Sequence, residues 1–301
     1  MIVRPRPNWL RMLVVWRGSI ILRILPQLIF TTALSALVVV FHGELLHWKV
    51  TLTAVPFSLV GVALAIFLGF RNSASYDRYW EARKLWGKLL TDSRNLTRQL
   101  VGFSPADPRP LAQGVIAFVH ACRHQLRQTD ALPDLQRLLP AHVVADLAER
   151  RSRPMRILVW LAAELRQRRE AGQLDPMLLA EIDRSLSGLN DAWGGCERIA
   201  YTPLPFTYSV ILHRTVYLYC FMLPFGLLDS IGIMTPLMVA FVSYTFFAIE
   251  ALSDEIEEPF GTMPNDLALN AMAINIEAAV LEMLGDRVLP AAPQPIDHVL
   301  S

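Results

Sequence analysis

His120 and His124 sit one helical turn apart, a spacing that lets two imidazoles meet one metal ion. No third ligand stands near them in the sequence, and a packed or solvated helix face accounts for the pair more simply. Cys196 lies between Gly194-Gly195 and Glu197-Arg198. An arginine beside a thiol can favour the nucleophilic thiolate, whereas the Gly-Gly pair reads more simply as a turn or a close-packing point. The cysteines Cys122, Cys196 and Cys220 are odd in number and show no CxxC spacing, so they define neither a disulfide framework nor a zinc knuckle. Asp254, Glu255, Glu257 and Glu258 place four carboxylates in five positions, which could hold a hard cation or face basic segments of the same chain. No P-loop, dinucleotide fingerprint, HExxH or nucleophile elbow occurs. An enzyme needs a converging nucleophile, base or metal triad, and these residues offer none; the chain is expected not to be one.

The elements that carry these residues are apolar. Of 301 residues, 53% are hydrophobic and 18% charged, where soluble chains carry roughly a quarter charged. The net charge of +1 is a cancellation: residues 1–25 hold five Arg and no acid, residues 71–200 hold 20 Lys+Arg against 15 Asp+Glu, and residues 253–301 hold one Arg against nine acids. That near-neutral total excludes a generally basic nucleic-acid binder, so no nucleic acid is expected as a partner.

Uncharged runs cover 24–41, 50–70 and 230–249, with 18, 21 and 20 residues. Each approaches the roughly 20 residues a helix needs to cross a bilayer. A fourth, near 208–228, contains Arg214, which costs about 3 kcal/mol inside a span unless it meets protein or water; the expectation places Arg214 close to one end of the span or against a partner. Four spans leave the termini and the 71–200 segment on one side. Because 25 of 28 Lys+Arg lie in the N-terminal and central segments, that side is the cytosol, and the basic start followed by a span is not a signal peptide. The expected organisation is a cytosolic segment 1–25, transmembrane helices 1 and 2 in 26–70, a helical cytosolic region 71–200, transmembrane helices 3 and 4 in 201–252, and an acidic cytosolic segment 253–301.

From Phe57 to Val101 there is no proline, so the second helix need not stop at the membrane surface; some 45 residues reach about 68 Å. Its membrane part carries Gly61, Ala65 and Gly69, a small-residue stripe for close helix packing in lipid. One position along, Val62, Ile66 and Phe70 form a bulky apolar stripe about 100° away. Around an axis of several copies, the bulky stripe would line a narrow hydrophobic neck that gates ions by excluding water. Packing of both stripes inside one four-helix bundle fits the periodicity as well. Beyond Val101 the pattern predicts helices over 111–129, 141–151, 154–171 and 176–193, with Pro110, Pro154 and Pro176 in first turns and Asp175 as a cap. Asp266 is expected to cap a helix over 267–284 that Gly285 ends.

The segments FLGFRNSASYDRYWEARKLWG at 67–87, GGCERI at 194–199, TPLPFTY at 202–208, HRTVYLYC at 213–220, LPFGL at 223–227 and EEPFG with ND and LN at 257–270 resemble the bestrophins, and more closely their bacterial branch, over almost the whole chain. The resemblance implies an all-α membrane protein with four transmembrane helices per subunit and a helical cytosolic region, assembled as a homopentamer around one central pore. Its implied partners are further copies of itself, the lipid bilayer of a bacterial inner membrane and permeant monovalent ions, chloride or cations. It makes Val62, Ile66 and Phe70 the expected neck and aligns Met177 with a second, cytosolic restriction. Animal bestrophins carry a calcium clasp in an acidic run after PFG; here that stretch keeps Asp266 alone of the run, with Asn265 beside it as a candidate cation site for calcium. A non-conducting membrane-anchored scaffold is the alternative expectation.

Overall fold

The computed structural model describes residues 1–4, 8–16, 18–41, 44–45, 48–49 and 54–301. Arg6, Arg17 and the first four residues of the 50–70 run lie outside the described residues. The elements in chain order are α1 (Trp9–Leu13), α2 (Ile21–Val40), a two-residue hairpin of β1 (Glu44–Leu45) and β2 (Trp48–Lys49), α3 (Ala54–Phe103), α4 (Arg109–Arg127), α5 (Leu132–Leu138), α6 (Ala141–Ala148), α7 (Arg153–Glu170), α8 (Pro176–Tyr201), α9 (Phe206–Ile231), a 3-10 turn (Gly232–Met234), α10 (Thr235–Glu257) and α11 (Leu269–Met283). The hairpin, registered Glu44↔Lys49 and Leu45↔Trp48, is the one addition to an otherwise helical plan among the described residues. Three stretches are long and apolar enough to cross a membrane: Ile21–Val40, Val55–Phe103 and Phe206–Glu257. The third is broken by the 3-10 turn into α9 and α10, with Gly232 at φ 54 where the chain reverses.

The chain divides into two compact units. The first, residues 5–79 and 203–258, packs α2, α9 and α10 against one another. Its core joins Ile24, Leu64, Leu68, Val216, Cys220, Phe246, Phe247 and Ala251. Pro26 lies inside α2 and Pro224 inside α9, tolerated where neighbouring helices satisfy the freed carbonyls. Outside the core, Leu22, Ile29, Phe30, Leu37, Leu218 and Phe241 are exposed, the signature of helices whose outer surface is meant for lipid or another chain.

The second unit, residues 1–4, 80–202 and 259–301, is built around α4. That helix is apolar nearly all round between Leu111 and Cys122 because α5, α7, α8 and α11 cover it. A Cβ at Gly114 would sit 2.6 Å from Trp160, so glycine is what lets α7 approach. Gly194-Gly195, read as a turn or a packing point, is only the latter: both lie inside α8, and a Cβ at Gly195 would meet Leu85 at 2.7 Å. Asp175 caps α8 through the Met177 amide as expected. Asp266 does not cap α11, whose N-cap position is Ala268 and carries no side-chain cap; its carboxylate instead accepts from the Met263 amide at 2.7 Å, closing the preceding loop. The chain ends pair with each other, Met1 and Val3 exchanging backbone bonds with Leu300 and His298, and Ser301 accepting from Ala271 at the start of α11.

Candidate functional site

Within α3 one line of residues is packed away: Leu64, Leu68, Arg71 and Ser75, spaced four, three and four apart. Two positions on from Leu64 and Leu68, about 200° around the helix, stand Ile66 and Phe70, with Val62 one turn earlier. They face away from the core, 62% exposed at Val62, 52% at Ile66 and 63% at Phe70. Burial of both stripes inside one subunit's bundle, which the periodicity alone allowed, is thus not what occurs. The small stripe is only partly engaged: Gly61 faces the Tyr219 ring, a Cβ there falling 2.8 Å from its hydroxyl, while Gly69 has open space around it and Ala65 is exposed.

The rotation of this helix is fixed just past the stripe. Arg71, 3% exposed, pairs with Asp254 and, at 3.5 Å, with Glu257, both in the last turns of α10. Arg78 donates from Nε to the Glu257 carbonyl at 3.1 Å, Arg23 of α2 reaches Asp254 at 3.5 Å, and the Tyr208 hydroxyl donates to the Phe67 carbonyl at 3.2 Å. A buried guanidinium that lost its carboxylates would cost several kcal/mol, so these pairs hold Phe70, the neighbour of Arg71, outward. Asp254 and Glu257 of the acidic run are therefore spent on arginines, and among the described residues no group of acidic, His or Cys side chains is arranged to hold a metal. The sequence pattern did not reveal this clamp, because its partners are about 180 residues apart. Arg214 lies two turns inside α9, not at its end, on the wall of a cavity with Arg71, Glu250 and Asp254, where His213 contacts Glu250 at 2.6 Å.

Met177, in the second unit, opens α8 and is 82% exposed. Asn265 and Asp266 fall in the loop before α11. Asp266 is buried, and besides Met263 its charge is met by two cations of the chain itself: the Met1 ammonium, whose pKa burial lowers against the pull of Asp266, and Arg127, which donates to the Leu267 carbonyl at 3.1 Å. His120 and His124 both approach the Asp134 carboxylate, Nδ1 of the first at 3.6 Å and Nε2 of the second at 3.0 Å, without forming a group arranged to hold a metal among the described residues. His120 Nε2 meets Glu277 at 2.8 Å, with Arg123 and Arg137 supplying the positive charge around them. Cys196 is buried, which with Glu197 and Glu81 pushes its thiol up to about 12, and Arg198 pairs with Glu81. Arg198 is thus not available to favour a thiolate at Cys196.

A helical membrane protein with an unpartnered apolar stripe on one long helix is the class these features define. A family profile described as "Bacterial/Fungal Bestrophin protein" matches residues 1–282, and the chain belongs to that family. It is 50% identical over 291 residues, 95% of each chain, to a protein of Ralstonia nicotianae named a voltage-dependent anion channel-forming protein. A protein of the same name from Escherichia coli K12 is 42% identical over 300 residues, 99% of each chain. Among solved structures, a bacterial bestrophin homolog from Klebsiella pneumoniae superposes with a TM-score of 0.85 at 44% identity, covering 88% of this chain and all of that one.

Proposed function

We propose that this chain forms a homopentameric anion channel of the bacterial inner membrane, with four spans per subunit, α2, the first half of α3, α9 and α10, and with both termini in the cytosol. The observation that carries the reading is the exposed line Val62, Ile66 and Phe70 on the side of α3 opposite Leu64 and Leu68. Five such lines around an axis make a hydrophobic neck about 12 Å long, from the eight residue steps between Val62 and Phe70 at helical rise. Such a constriction passes ions only when wetted. Met177, exposed at the start of α8, is assigned to a second restriction in the cytosol. The anion preference follows the names of the Ralstonia and Escherichia relatives. Calcium is not assigned a role, since the buried Asp266 carboxylate closes its own loop through the Met263 amide and lies in the field of the Met1 ammonium and Arg127.

Purified protein in chloride-loaded liposomes tests this. Chloride efflux that depends on incorporated protein supports the channel. No flux of any small ion across a range of pH and calcium would leave a membrane-anchored scaffold as the function.

A further inference from the structure

In the second unit, three elements converge on a polar cavity of about 310 Å³. The turn between α6 and α7 supplies Arg150 and Arg151, and the first residue of α7 supplies Arg153; the end of α4 supplies Gln128 and Thr129; the last residue of α8 supplies Tyr201. No carboxylate lines it. Acids outside the lining hold two of the guanidiniums in place: Arg150 reaches Asp146 at 2.5 and 3.0 Å, and Arg153 reaches Asp130 at 3.2 Å and the Leu147 carbonyl at 3.3 Å. Arg151 has no ion-pair partner among the described residues. Thr129 is fixed by His124 Nδ1 at 2.7 Å.

Gln128 adds an independent sign. Its φ of 53 puts a non-glycine side chain in the left-handed region at the end of α4, where glycine would serve at lower cost. Strain of this kind is retained where a side chain is used, and this side chain lines the cavity.

We propose that this cavity binds a small oxyanion of the phosphate class, with Arg151 as the principal charged donor and Gln128 and Tyr201 as neutral ones. A planar guanidinium matches two oxygens of one phosphate group, and the remaining donors lie on two other elements, so the site favours an anion with several oxygens over spherical chloride. The proposal is independent of the channel reading, because it predicts binding and requires no conduction.

The test is calorimetric titration of the full chain, purified in detergent, with inorganic pyrophosphate, inorganic phosphate and, as a control, sodium chloride. Saturable binding of pyrophosphate or phosphate is expected, with no saturable signal from chloride. Arg151→Gln, which removes an exposed group without a partner and leaves the fold intact, is expected to weaken binding by about ten- to a hundredfold. Arg166→Gln, which alters an exposed arginine paired with Glu170 elsewhere on α7, is expected to bind as the parent does. Absence of saturable binding by both oxyanions, chloride binding with equal affinity, or an Arg151→Gln variant that binds like the parent would overturn the proposal.

Discussion

Glu277 on α11 is held by two helices at once, and replacing it by glutamine has a calculable cost. Its carboxylate, 4% exposed, accepts from His120 Nε2 at 2.8 Å and from Arg137 at 2.5 and 3.1 Å. Burial alone would raise its pKa; the His120 and Arg137 bonds outweigh burial and lower it from 4.5 to about 2. At 1.36 kcal/mol per unit, that difference is worth about 3 kcal/mol of folding stability. Because the folded-state value is depressed, the contribution is complete above the unfolded pKa and disappears as the pH falls through about 2. Glu277→Gln removes the charge while keeping the shape. For a unit of this size the expected loss in melting temperature at neutral pH is roughly 6–12 °C, read from tryptophan fluorescence, since Trp86 and Trp193 are fully buried in the same unit. The parent should lose stability in acid over the interval below pH 4.5, and the variant should show a shallower limb, the remainder coming from Asp130, Asp134, Asp146 and Asp286, whose carboxylates are also held below their ordinary values. A variant that melts with the parent at neutral pH, or whose acid limb is as steep as the parent's, refutes the assignment of the stabilisation to this pair of bonds.

Ile66→Ala and Phe70→Ala should each widen the proposed neck and raise single-channel conductance in planar bilayers; unchanged conductance and selectivity in both would remove these residues from the pore. Asp77 is exposed and lies seven residues beyond Phe70, within about 20° of the same helical line. Its carboxylate would therefore oppose anions just inside the neck, and Asp77→Asn is expected to raise the anion-to-cation permeability ratio measured by reversal potential. Gly195→Ala forces a methyl against Leu85, at 2.7 Å before relaxation, and should cost about 1–3 kcal/mol, seen as a lowered melting temperature.

The helical plan was readable because it rests on local signals. Uncharged runs of membrane length marked the spans, the absence of proline predicted a second helix over 57–101 against the observed Ala54–Phe103, and Pro110, Pro154 and Pro176 marked three helix starts that the structure places at first turns. Errors arose where a non-local partner decided the outcome. The short α5 carries too few turns to show a period. Asp266, a good cap by type, was diverted to the Met263 amide. Of the two readings of Gly194-Gly195, a turn or a packing point, Leu85 decided for the second. The stripe Val62, Ile66 and Phe70 was legible as periodicity, but its exposure was not, since both a bundle core and a pore lining use apolar residues. What separates them is the burial of Leu64 and Leu68 on the opposite side, and of Arg71 among carboxylates about 180 residues away.

The central claim is conduction of anions through a neck made by α3. Its most direct test is the reversal potential of the purified protein in a planar bilayer under asymmetric potassium chloride. A protein-dependent current reversing toward the chloride equilibrium potential is the predicted result; a current reversing toward the potassium potential contradicts the anion reading, and the absence of any protein-dependent current contradicts the channel itself.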